Sequence, residues 1–93
     1  MKNWKVDIAA KVRKALGKLP ARVRKVTALL VADIEDFGPV RGDWPNYGKL
    51  GPGRHHCHVK KGKPTYVVVW EEQKGKIKLI EVTYVGTHEK APY

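Results

Sequence analysis

A single cysteine, Cys57, rules out an internal disulfide framework and fits a reducing compartment. Acidic residues are also scarce, with nine Asp and Glu against 19 Lys and Arg, and the formal charge is +10. Long apolar runs are missing. The longest aliphatic stretch, Ala28 to Ala32, is far too short to span a bilayer, and the N-terminal residues lack the apolar core of a signal peptide. An integral membrane protein is therefore excluded, and a cytoplasmic location with no membrane partner is expected. The short signatures of common chemistries are absent too: there is no Gly-Lys-Ser/Thr phosphate loop, paired Cys motif, Gly-x-Ser-x-Gly or dinucleotide fingerprint.

What remains is a chain of 93 residues, 42% hydrophobic, enough for one small core spanning residues 1–93 as a single domain. The positive charge is spread over both halves, so it belongs to a folded surface and not to a basic tail. An anionic partner is implied. Trp4, Val6 and Ile8 alternate with Lys5 and Asp7, the period of a half-buried strand. From Ala9 the period lengthens, and Ile8, Val12, Leu16 and Leu19 predict an amphipathic helix reaching Leu19. Pro20 ends that helix and opens a second, which should bury Val23, Val26, Leu30, Ile34 and Phe37 before Gly38-Pro39 stops it. A Gly- and Pro-rich loop to Gly53 follows, pinned by Trp44 and Tyr47. Strands are expected at Arg54 to Lys60, Thr65 to Glu72 and Ile77 to Val85. The fold class is α+β, with a two-helix hairpin packed on a largely antiparallel four-stranded sheet.

Reactive side chains concentrate in two places. On a strand, Arg54, His56, His58 and Lys60 share one face while His55, Cys57 and Val59 share the other. Imidazole titrates near neutrality, so the first face could perform acid-base chemistry on a phosphate flanked by cations. The alternative is a set of exposed polar residues over a Cys57–Val59 core. A metal site is disfavoured because alternate strand residues diverge, and no metal or other cofactor is expected. The second place is the C-terminal run from Gly86 to Tyr93, where His88 neighbours Glu89 and Tyr93 is an aromatic anchor; a tether with a surface histidine is the alternative there. Glu81 inside an apolar strand faces the reactive side of the sheet or pairs with a lysine.

The order of elements, with Lys49-Leu50 leading into a basic strand and Val85-Gly86-Thr87-His88 closing the last one, resembles the RelE/ParE superfamily of toxin–antitoxin toxins over essentially the whole chain. The ending is similar to that of the HigB-like branch. That resemblance implies ribosome-dependent mRNA cleavage, with an antitoxin, the ribosome and mRNA as partners and a hetero-oligomer with the antitoxin. His88 matches the terminal catalytic position, as general acid or phosphate stabiliser. His56 and His58 fall where RelE carries a lysine pair, with His58 the leading base, and Tyr93 matches a functional C-terminal tyrosine that would contact the substrate base or ribose. Arg54, Lys60, Lys61 and Lys90 would hold phosphates. One departure is Thr65-Tyr66, where an arginine is usual; Arg54 or Lys63 would have to replace it. The ParE branch, which poisons gyrase, and a non-catalytic RNA- or ribosome-binding module are the rival functions on this fold.

Overall fold

Alternating and helical periods become elements at nearly the expected places. The computed structural model describes residues 2–93, arranged as β1 (Lys5–Ile8), α1 (Ala10–Leu16), α2 (Ala21–Phe37), β2 (Gly48–Gly51), β3 (Arg54–Lys60), β4 (Tyr66–Glu72) and β5 (Leu79–Thr87), then a short 3-10 turn, His88–Lys90. The sheet order is β1-β5-β4-β3-β2, antiparallel except for the parallel β1–β5 pair. Both helices cover one face of it. Val12 from α1 and Val23, Leu30 and Ile34 from α2 meet Cys57, Val59, Val68, Trp70, Ile80, Val82 and Val85 in the core. Each fully buried aliphatic side chain there contributes about 1.5–3 kcal/mol. Trp70 Nε1–H donates to the Pro39 carbonyl at 3.0 Å, which fastens the end of α2 to the centre of the sheet. Gly38 stops α2 with φ of 97°, a conformation costly for other residues, while its N–H donates to the Ile34 carbonyl. Among the described residues, no helix is long and apolar enough to cross a membrane.

The sequence expectation needs four corrections. The sheet has five strands, because Gly48–Gly51 pairs with β3 although its composition reads as loop. The first helix ends at Leu16, short of Leu19. Phe37 is 68% exposed at the last position of α2, where the Arg41 guanidinium lies 5.5 Å from its ring centroid. Ile77 is 92% exposed, and the last strand starts two residues later, at Leu79.

Besides a shift between Lys49 and Gly51 in β2, two register breaks bear on the face opposite the helices. The pairing of Val69 with Tyr84 and of Trp70 with Val82 leaves Thr83 as an extra residue in β5. Ile80 and Val82 therefore point into the core, and Val85 does so as well, while Tyr84 and Gly86 are sent to the open face. A second break lies between His58 and Lys60 in β3.

Candidate functional site

The open face of the sheet has two chemically different ends. In β3, burial alternates residue by residue, with His55, Cys57 and Val59 buried and Arg54, His56 and His58 partly exposed. One end carries Arg54, opposite Glu71, which in turn pairs with Glu81 and then with Asp7 of β1 across the strands. Arg54 Nε lies 3.5 Å from a Glu71 carboxylate oxygen, so its charge is largely compensated. Glu81 thus faces the open side, in an acidic band.

The other end holds the histidines, above a floor of fully buried Val67 and Val69, which pair with His58 and His56. Four rings form a connected group. The His56 and Tyr93 centroids are 4.7 Å apart, Tyr93 meets His88 edge-on at 5.8 Å, and His88 meets His58 edge-on at 5.7 Å. Residues 30 or more positions apart in sequence are thereby placed within one contact of each other.

Two of the rings are held for a local reason. His56 lies beside Gly48 of β2, where a Cβ would stand 3.0 Å from His56 Nε2. His56 Nδ1 is buried without a hydrogen-bond partner. His88 follows β5 directly: its N–H donates to the Thr65 carbonyl at 2.8 Å, and the Tyr84 hydroxyl donates to the Thr87 carbonyl at 2.7 Å. Gly86 is needed for the second bond, since the Tyr84 ring lies where its Cβ would be.

Burial, followed by the nearby charges of His58 and His88, lowers the His56 pKa below its ordinary 6.5. His58 is lowered too, first by burial, then by His88 and Lys61. Both are therefore available as neutral imidazoles at neutral pH. Burial raises the Tyr93 hydroxyl pKa, with lesser contributions from Cys57 and Tyr84. Tyr93 is thus a protonated hydrogen-bond donor and a ring for stacking.

His58 borders two clefts. The first, of about 590 Å³, is lined by His58, His88, Lys63, Thr65 and Glu89 among others. The second, of about 380 Å³, lies toward α2 and includes Lys60 and Lys61. Of the expected phosphate-binding residues, Lys60 and Lys61 therefore adjoin the rings, and Lys90 is exposed on the turn that carries His88. Arg54 does not: four residues of strand, about 13 Å, separate it from His58. Lys63, one of the two candidates to replace the usual arginine, opens on the first cleft instead. Glu89 makes no hydrogen bond to His88 among the described residues. Nor does any group of three or more His, Cys, Asp and Glu side chains there have metal-binding geometry.

One buried network escaped the sequence reading. His55 is fully buried on the helix side, with Nδ1 2.7 Å from the Tyr47 hydroxyl and Nε2 2.8 Å from a Glu72 carboxylate oxygen. With Nε2–H donating to Glu72, Nδ1 accepts from Tyr47. The imidazole forms a three-ring cluster with Tyr47 and Trp70, whose centroids lie 5.9 and 5.8 Å from it and 6.1 Å from each other. Alternation placed His55 on the core side; its partners, 8 and 17 residues away, left no local signal.

No family profile and no curated protein sequence matches the chain. Among solved structures, it is similar to a chain in the crystal structure of the archaeal RelE–RelB complex from Pyrococcus horikoshii OT3. The TM-score is 0.66 at 18% identity, over 95% of this chain and 98% of that one. The fold is RelE-like. Within this RelE-like frame the histidine group occupies the open face at the end of β3 and β5, on the side of the sheet away from both helices.

Proposed function

We propose that this chain is the toxin of a type II toxin–antitoxin system and acts as a ribosome-dependent mRNA endoribonuclease that inhibits translation. The observation that carries the reading is the edge contact of His58 with His88 at the mouth of a cleft that also holds Lys63. Cleavage within an RNA strand needs a base, an acid and positive charge around one phosphate, and this face supplies all three.

In the proposed reaction, neutral His58 takes the proton of a ribose 2′-hydroxyl, and the 2′-oxygen forms a bond to the adjacent phosphorus. The bond from phosphorus to the 5′-oxygen breaks, and His88 delivers a proton to that leaving oxygen. The products are a 2′,3′-cyclic phosphate and a 5′-hydroxyl. Lys63 holds the charge of the reacting phosphate, with Lys90 behind His88, while Lys60 and Lys61 attract the strand beyond it. Tyr93 and His56 form the wall on which a base or ribose of the substrate rests. The acidic band of Asp7, Glu81 and Glu71 repels a polyanion from the opposite end of the face and confines it to the histidine end. Arg54, paired with Glu71, has no part in phosphate binding in this scheme.

The RelE-like neighbour was solved in complex with RelB. An antitoxin of acidic character covering the histidine face is the corresponding partner here. Its affinity is expected to fall as salt rises. The test of function is induction in bacterial cells, with primer extension on translated messages and gel analysis of plasmid topology. Cleaved mRNA with normal plasmid supports the nuclease. Intact mRNA with relaxed or broken plasmid selects the gyrase-directed rival, and ribosome association without growth arrest selects the non-catalytic module.

A further inference from the structure

The second cleft beside His58 has a composition that the cleavage chemistry leaves unused. Arg22 and Val26 line it from the first turns of α2, Trp44 from the long loop, and Lys60 and Lys61 from the end of β3. Trp44 is half-buried, and its Nε1–H donates to an Asp33 carboxylate oxygen at 2.9 Å, which fixes the indole as a wall of the cleft. The backbone is fixed at the same point, since His58 N–H donates to the Pro45 carbonyl at 2.8 Å. Arg22, Lys60 and Lys61 form no ion pair among the described residues. A cleft of about 380 Å³ with one rigid aromatic wall and three uncompensated cations has the chemistry of a single-stranded nucleotide subsite.

Its position makes the assignment specific. His58 lines both clefts, so a strand whose phosphate lies at His58 in the first cleft places a neighbouring nucleotide in the second. We propose that the Arg22–Trp44–Lys61 cleft is a second RNA subsite, which stacks the base next to the cleaved phosphodiester on Trp44 and holds the following phosphate with Arg22, Lys60 and Lys61. The inference rests on the reading of the first cleft as an RNA-cleaving site. It adds a residue that would set substrate length and base preference, and it gives Arg22, otherwise part of a solvated helix face, a direct contact.

The test measures binding of the full chain to ribosomes programmed with a message carrying a 2′-deoxy sugar at the cleavage position, so that no cleavage follows. Messages with an abasic site on either flank are compared with the intact one. For the wild type, an abasic site on one flank should weaken binding about 5- to 150-fold, the range for loss of a stacked base. Trp44→Ala should cost a similar factor on the intact message and make the abasic site nearly silent, whereas Trp44→Phe should retain most of the affinity and the abasic penalty. Arg22→Ala should flatten the salt dependence by roughly 0.7 in log–log slope, the value for one phosphate contact on a single strand. An abasic penalty absent on both flanks in the wild type, a penalty of equal size in wild type and Trp44→Ala, or a salt slope unchanged in Arg22→Ala would overturn the subsite. Failure of the nuclease reading has a different signature: the base coupling is intact, and the unmodified message is not cleaved.

Discussion

The Tyr84 ring lies directly over Gly86, so close that a Cβ there would stand 2.6 Å from the Tyr84 hydroxyl and 2.9 Å from the ring carbon that bears it. The same hydroxyl donates to the Thr87 carbonyl, and the next residue is His88. Gly86 thus permits the bond that ends β5 and sets where His88 emerges. Gly86→Ala should displace Tyr84 and lower stability by about 1–3 kcal/mol, as overpacking does. Cleavage should fall with it. Tyr84→Phe, which keeps the ring and loses the bond, should cost only about 0.5–1.5 kcal/mol. Chemical denaturation of both variants checks the order.

Titration of the histidines gives a second expectation. His56 and His58 both have pKa values below the ordinary 6.5, so an unfolded chain takes up their protons first as pH falls. Stability contributed by keeping them neutral is complete above about pH 6.5 and declines as pH drops from there toward their folded values. Removing a charge that faces His58 reverses part of the shift. In His88→Ala, the His58 pKa should move up toward 6.5, read from its imidazole resonances in an NMR titration; an unmoved or lowered value contradicts the contact.

On the other side of β3, the His55 network is a matter of stability. His55→Ala leaves the Tyr47 hydroxyl and Glu72 without their shared partner and opens a cavity beside Trp70, with an expected loss of about 2–4 kcal/mol. His55→Phe should lose less, because it keeps a ring packed against Tyr47 and Trp70. Equal losses for the two variants would show that packing contributes nothing there.

Cys57 is fully buried, and burial, followed by the charge of Asp43, pushes its pKa up to about 12. Its thiol should resist iodoacetamide at pH 8 in the native protein and react only as the chain unfolds. Labelling within the mixing time under native conditions would contradict this environment.

Much of this arrangement was legible in the sequence because it follows from short periods. The two-residue alternation of β3 separates His56 and His58 from Cys57 and Val59, and the structure keeps that separation. The spacing of Val12, Val23, Leu30 and Ile34 marks the core faces of both helices. Phe37 follows the same period, yet it lies at the last position of α2, where the sheet no longer covers it, and it stays exposed beside Arg41. The strand Gly48–Gly51 has one apolar side chain, Leu50, and is defined by backbone pairing with β3, which leaves no composition signal. The site itself depends on long-range geometry. His58 and His88 meet only because two strands are paired in a given register, and the extra residue at Thr83 resets which side chains of β5 reach the open face. Arg54 shows the converse: it shares the strand face expected of it, but its cross-strand partner is Glu71, and pairing across strands cannot be read from either segment alone.

The central claim is that His58 and His88 act together as base and acid on one phosphodiester. Its most direct test is single-turnover cleavage of a ribosome-bound message by purified wild type, His58→Ala and His88→Ala, with the new 3′ end analysed chemically. The wild type should give a 2′,3′-cyclic phosphate, and each variant should lose about 10²- to 10⁴-fold in rate. Equal rates for all three proteins, or a 3′-hydroxyl product, would rule out the paired roles.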